Sequence, residues 1–484
     1  MTTETTDSRK TGSRKLLIRA IWTIGLLGLL AGLWLRQGPL AYSVAQQRVI
    51  LLGRYTVEQM TTQVFVTPIV LLVVLGIWTG KEKSPQQQRQ DQFRTILMIV
   101  SILLTVAVVD IALRMFEGRQ YIKTAQSHHR PPNLSIQGTF EDVPDAAFTF
   151  PNAPAGYPPI KYELTTDGRG FRNKTTLSSC DVVVLGDSFA EGSGISDESV
   201  WPVLLGQRRG WTVCNLAMSG SSPLAYLDIL RQYGLALKPR IVICLLYEGN
   251  DFRDGNYPAT GLTEPPPSLG RKVFYGSPLR QKLKTLMIRT MAPIGRGRFD
   301  GDPGLADPSH PMYAVAWLPL VIPATGGYPY AIEFKRVEEL YRSRETLAAS
   351  RGVLKTQEVV DQIELFCRQN NIRLIVGYAP DRAHVALPAM GERLDADRLR
   401  AFLALKMRGL PIGEKLVPEV LGRLDNLESI MADYCREKGI EFVGLTTPLK
   451  EAMLAGKRVY FTYDQHWSPE GHALAAEVLA AKIQ

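Results

Sequence analysis

Apolar positions along this chain follow two regimes. Up to about residue 115 they form long runs, 16–35, 62–79 and 95–113, almost free of charge. Roughly twenty apolar residues in a helix span a bilayer's hydrocarbon core, so these runs predict three transmembrane helices. Arg19 lies near the end of the first run, where its stem can reach the interface. The second run holds Pro68 and only just reaches spanning length. Three buried helices of a soluble bundle would be the alternative. Beyond residue 180 the apolar runs are short. Val182-Val183-Val184-Leu185 is apolar at every position, as in a strand buried on both faces of a parallel sheet. Similar strands are expected at 180–185, 212–217, 240–246, 372–378 and 441–443. Helices are expected near 199–207, 223–236, 357–370 and 424–438, with a last one from Ser468. This alternation predicts an α/β domain with right-handed crossovers and a doubly wound parallel sheet.

Charge sharpens the division. The 484 residues carry a net charge of +9, yet residues 131–484 hold 40 basic and 40 acidic residues. The excess belongs wholly to residues 1–130, with 16 basic and 7 acidic. A neutral main domain argues against nucleic acid as partner. Arg9, Lys10, Arg14 and Lys15 precede the first run, and Lys81, Lys83, Arg89 and Arg94 lie between the second and third. That bias puts the N-terminus in the cytosol and everything after about residue 115 outside, on the periplasmic or extracellular face of a multi-pass membrane protein. A signal peptide shares the basic-then-apolar layout, but the first run is long and lacks a convincing small-residue cleavage site. The expected organisation is a membrane anchor over 1–118, a linker over 119–160 and a catalytic domain over 161–484. That domain carries insertions at 252–350 and 389–418. His128-His129 in the linker has no acidic or thiol neighbour and reads as an exposed pair. Gly168 to Asn173 lacks the strand-then-helix setting of a phosphate loop and reads as packing. Five cysteines without metal-type spacing read as buried thiols, with a Cys367–Cys435 bridge as the alternative. No metal site is expected, and Asp251-x-x-Asp254 lacks the ligand count of a calcium loop.

Three turns should converge on the carboxyl edge of the sheet: Ser188 after the first strand, Gly220 after the second and Asn250 after the third. A serine nucleophile needs donors aimed at the developing oxyanion, and the backbone N–H groups of Ser188 and Gly220 with the Asn250 amide are of the right types. The base is sought near the C-terminus, in Asp464-Gln465-His466-Trp467-Ser468-Pro469. Ser468 and Pro469 suit a helix start, which leaves Asp464 and His466 in the preceding loop. There the carboxylate can hold Nδ1 while Nε2 faces the serine. His472 falls inside the helix, as packing or solvated.

Gly186-Asp187-Ser188, Gly220, Gly249-Asn250-Asp251 and Asp464-Gln465-His466 resemble, in order and direction, the four blocks of the SGNH (GDSL-type) hydrolase superfamily. The Asp-Gln-His-Trp end is also similar to the alginate O-acetylation (AlgX/AlgJ-like) branch. The resemblance implies a flavodoxin-like α/β/α sandwich. It further implies Ser188 as nucleophile, His466 as base, Asp464 as its orienter, and Ser188, Gly220 and Asn250 as the oxyanion hole, with no cofactor. The leading expectation is a membrane-anchored serine esterase acting outside the cytosol on O-acyl esters of a small molecule, glycan or lipid. Two alternatives stand beside it: an O-acyltransferase modifying an envelope or exopolysaccharide, and a non-catalytic envelope scaffold.

Overall fold

The computed structural model describes residues 4–35, 50–52, 55–79, 84–117, 130–142, 155–257, 278–291, 317–322, 328–391, 394–404 and 407–483. His128, His129 and much of the 252–350 insertion lie outside them. Contacts divide the chain into two units: Met1–Phe116 with Phe274–Asp300, and Glu117–Val273 with Gly301–Gln484. The middle of the long insertion is thus grouped with the N-terminal unit.

The N-terminal unit contains helices α1 (Glu4–Leu35), α2 (Val57–Thr79), α3 (Pro85–Glu117) and α4 (Pro278–Met291). Leu16–Leu35 and Gln59–Trp78 are long and apolar enough to cross a membrane, with mean hydropathy 2.0 and 2.1. The third apolar run lies within α3. Pro68 sits inside α2 without ending it. Helices α1 and α2 run antiparallel: Trp34 Nε1 donates to Thr67 Oγ1 (3.0 Å) and Trp78 Nε1 to Thr23 Oγ1 (2.8 Å). Leucines such as Leu29 (74% exposed) and Leu72 (63%) face outward.

The second unit is built on five parallel strands: β1 (Val182–Leu185), β2 (Val213–Asn215), β3 (Ile241–Tyr247), β4 (Arg373–Ala379) and β5 (Glu441–Gly444). Their spatial order is 2-1-3-4-5, the doubly wound sheet expected from the alternation, in the flavodoxin-like order that the resemblance implies. Val183 pairs with Val242 and Cys214, and every β1 side chain is fully buried, which is why that strand lacks any polar alternation. Helix Arg351–Gln369 buries Val353, Val359, Val360, Ile363 and Cys367 along one face, with Ser350 capping its start. All five cysteines are buried and free. The chain leaves β1 for one side of the sheet and returns to β3 on the other, so the crevice at the carboxyl ends of β1 and β3 is the switch point where such sheets bind ligands.

Residues 135–140, inside the expected linker, and 160–165, which start at its last residue, form an antiparallel hairpin with Gln137 opposite Glu163. The first strand is mostly exposed and the second mostly half-buried, and neither leaves an apolar pattern to read.

Candidate active site

Strand β1 ends at Gly186, where a Cβ would sit 2.7 Å from that of Ala190 and 3.2 Å from the Leu245 carbonyl oxygen, so only glycine lets the chain turn here. Asp187 caps the short helix Ser188–Glu191 by accepting the Phe189 N–H (2.9 Å). Ser188 opens that helix at the switch point, 9% exposed. At the other end of the chain, Ser468 caps helix Pro469–Lys482 through the Gly471 N–H (3.2 Å). The loop before it carries the imidazole back to the sheet.

Across 278 positions of sequence, His466 Nε2 lies 2.7 Å from Ser188 Oγ. His466 Nδ1 lies 2.5 Å from Asp464 Oδ1, which also accepts the His466 backbone N–H (2.8 Å). With Nδ1 donating to Asp464, the neutral ring presents Nε2 as acceptor for the serine hydroxyl. Burial alone would lower the His466 pKa, but the adjoining Asp464 carboxylate outweighs it and holds the pKa above the usual histidine value. Burial pushes Asp464 the opposite way, and the charge and hydrogen bonds of His466 keep it below the ordinary carboxylate range. Phe189 packs under the ring at 4.9 Å between centroids and stacks on Tyr247 at 4.0 Å.

The expected oxyanion donors occupy neighbouring turns. Gly220 takes a left-handed conformation (φ 74°) at an exposed loop tip. That loop is fastened to the Ser188 turn: the Met218 N–H donates to the Gly186 carbonyl (3.0 Å), and Ser219 donates through N–H and hydroxyl to Glu191. Asn250 donates from Nδ2 to Asp187 Oδ2 at 2.7 Å. An amide has a second N–H, and this bond orients it. Burial raises the Asp187 pKa. His472 is fully buried, its Nδ1 accepting the Trp201 N–H (3.3 Å), and burial drives its pKa well down, so it packs as a neutral ring.

Several supporting residues escaped the sequence reading. Buried Asp142, from the lead-in hairpin, accepts the N–H groups of Thr462 (2.6 Å), Tyr463 (3.0 Å) and Asp464 (3.0 Å), along with that of Tyr157 (2.8 Å). Buried Arg382 collects carbonyls of the same loop, from Phe461 (2.9 Å), Thr462 (2.7 Å) and Asp464 (2.6 Å). Arg336, in the insertion, donates to the Gly249 carbonyl and to Gln465 Oε1. Arg172, in the glycine-rich turn read as packing, pairs with Asp197 (2.7 Å) and donates to the carbonyls of Glu191 and Gly192. Arg130 binds Glu191 at 2.5 Å.

Beside Gly249 opens a cleft walled by Glu248, Arg253, Arg336, Glu339, Asp381 and Arg423. Its charges pair off, Arg253 with Glu339 (3.3 Å) and Arg336 with Asp381 (3.4 Å), and Phe252, Leu340, Leu347, Leu424 and Leu427 complete a mixed lining of balanced charge and apolar surface. Among the described residues, one group, His384, Asp425 and Glu428, gathers potential metal ligands within 4.8 Å. Both ring nitrogens of His384 already face carboxylates, Glu248 (2.9 Å) and Asp425 (2.8 Å), and despite burial these raise its pKa to about 10. The imidazolium itself supplies the positive charge there.

Residues 412–484 match the family model described as SGNH hydrolase-like domain, acetyltransferase AlgX. Among solved structures the chain is similar to a lipolytic protein assigned to the G-D-S-L family from Desulfitobacterium hafniense DCB-2, at 16% identity over 62% of this chain and 97% of that one, TM-score 0.30. It is also similar to phospholipase A1 from Streptomyces albidoflavus NA297, at 12% identity over 63% and 99%, TM-score 0.32. No curated protein matches the chain. The family match supports the resemblance read from the four sequence blocks over 412–484, and the second unit has the mostly parallel sheet with helices that the resemblance implies.

Proposed function

We propose, starting from an SGNH hydrolase-like domain whose C-terminal residues match an acetyltransferase family, that this chain is a membrane-anchored O-acyltransferase. It would place an acetyl group on a hydroxyl of an envelope or extracellular glycan. The observation that carries the reading is the 2.7 Å approach of His466 Nε2 to Ser188 Oγ with Asp464 behind the ring. In this reading Ser188 Oγ attacks the carbonyl carbon of an acyl donor while His466 takes its proton. The N–H groups of Ser188 and Gly220 and the Asn250 amide receive the oxyanion. As the tetrahedral intermediate collapses, the donor's leaving oxygen or sulfur takes the proton from His466 and the acyl group stays on Ser188. A sugar hydroxyl then gives its proton to His466, attacks the acyl-enzyme and leaves as the ester, and Ser188 recovers its proton.

Transfer is favoured over the hydrolysis expected from the sequence by the family match over 412–484. The two helices of spanning length support the anchor, with α3 as a third crossing and the catalytic unit outside the cytosol. The test uses the full chain in detergent with a chromogenic acetyl ester and neutral or uronic oligosaccharides, products being read by mass spectrometry. Acetylated oligosaccharide, absent with Ser188→Ala, is the expected result. Release of acetate alone would replace transfer with the esterase reading. Equal turnover by Ser188→Ala would reject the nucleophile.

A further inference from the structure

We infer that α4 is a membrane-surface helix that lies in the headgroup layer and takes anionic lipid headgroups. This rests on the anchor proposed above. Within the N-terminal unit α4 lies across one end of the other three helices. Its Met287 and Met291 pack on Tyr55 and Met60, and the Met291 carbonyl accepts the Leu52 N–H (3.0 Å). Its Leu279 N–H donates to Asp110, in the last turns of α3, at 3.3 Å. Trp34 and Tyr55 meet edge-on here at 5.6 Å, and the Tyr55 hydroxyl donates to the Trp34 carbonyl. They sit just where the two apolar spans end, at Leu35, and begin, at Gln59. Paired aromatic rings at span ends mark the bilayer boundary. A helix docked on them is held at that depth, and charge bias in the loops places that end outside, where the chain leaves α3 for the catalytic unit.

The sequence of α4 suits that position. In its 14 residues, PLRQKLKTLMIRTM, Arg280, Lys282, Lys284 and Arg289 are basic and none is acidic. Leu279, Leu283 and Leu286 fall on one face at helical spacing, next to the stripe formed by Met287 and Met291. Leu283 is 44% exposed and Leu286 57%. An apolar face beside docked methionines, with basic residues and no acidic one, matches an interfacial helix on an anionic surface.

The five native cysteines are buried, so spin labels can be placed at Leu283→Cys or Leu286→Cys in the full chain. Leu72→Cys in α2 and Ile412→Cys, exposed in the catalytic unit, serve as references. Each variant is required to elute and melt like the parent before reconstitution in vesicles of phosphatidylcholine with phosphatidylglycerol. Accessibility to oxygen and to a water-soluble nickel chelate then gives depth. The Leu72 label should lie deep, the Ile412 label in water, and the α4 labels about 5–10 Å below the headgroup boundary. Lys282→Gln with Lys284→Gln, or vesicles without the anionic lipid, should shift the α4 labels toward water. Labels on α4 that are open to nickel while Leu72 lies deep would overturn the inference and leave the anchor intact. So would labels shielded from both probes, which would mean a protein covers the helix. Unchanged depth in purely zwitterionic vesicles would overturn the headgroup preference. A Leu72 label in water would bring down the anchor itself.

Discussion

Two histidines of the second unit, His384 buried and His466 largely so, have nearly the same inner partner and different outer ones. His466 meets Asp464 at Nδ1 and the Ser188 hydroxyl at Nε2. His384 meets Glu248 at Nδ1 and Asp425 at Nε2. A carboxylate raises the proton affinity of both rings, so proximity to an acid does not by itself make a base. With a second carboxylate on Nε2 the proton is locked in and no lone pair faces a reacting group. With a hydroxyl there, the neutral ring is an acceptor waiting for a proton. Glu248 and Asn250 lie two residues apart, so a single turn after β3 supplies the carboxylate on His384 and the amide on Asp187, the residue before Ser188.

The comparison breaks first at the hydroxyl. Ser188→Ala should lower acyl turnover by roughly 10³-fold or more while the melting temperature stays close to that of the parent, since the catalytic groups act as a unit. Asp464→Asn comes next. It disfavours the tautomer that leaves Nε2 unprotonated and should cost about 10³–10⁴-fold in kcat. With His466 as the proposed base, its raised pKa means that kcat/KM of the parent should fall with acidity from above the ordinary histidine value near 6.5. Asp464→Asn should move that limb to lower pH; a limb that stays put would separate the base from this carboxylate.

Asp142→Asn turns an amide toward N–H groups that now find carboxylate oxygen, and loosens the loop. A roughly 10- to 100-fold fall in kcat with KM little changed is expected, because small misplacements of a catalytic group are costly. Equal losses in stability and none in kcat would reduce Asp142 to a structural residue. His384→Gln should leave kcat within a few-fold and act on stability instead. The folded ring keeps its proton to about pH 10, whereas an unfolded histidine releases it near 6.5. Its contribution is therefore complete below about pH 6.5 and is lost as pH rises through 10. The parent's melting temperature should decline over that window, and His384→Gln should flatten the decline.

The sheet was legible because its central strands β1, β3 and β4 are buried on both faces and their apolar runs need no partner to be recognised. Ser188, Asp464 and His466 were legible because local spacing and the helix start at Ser468 fix their setting. Asp142 was not: it reaches the base loop across 320 positions from a hairpin whose exposed strands resemble a linker. Arg336 and Arg382 were hidden likewise, since a buried guanidinium that gathers carbonyls looks in sequence like any surface arginine. Asp187 stood in plain view beside the serine, yet its hold on the Asn250 amide depends on how two strand ends approach.

Since Asp142 holds the 462–464 loop and Arg130 holds Glu191, and both precede the first sheet strand, a fragment cut at residue 161 would retain Ser188, Asp464 and His466 and lose their scaffolding. A shortened gene that keeps the proposed site intact should therefore begin upstream of position 130.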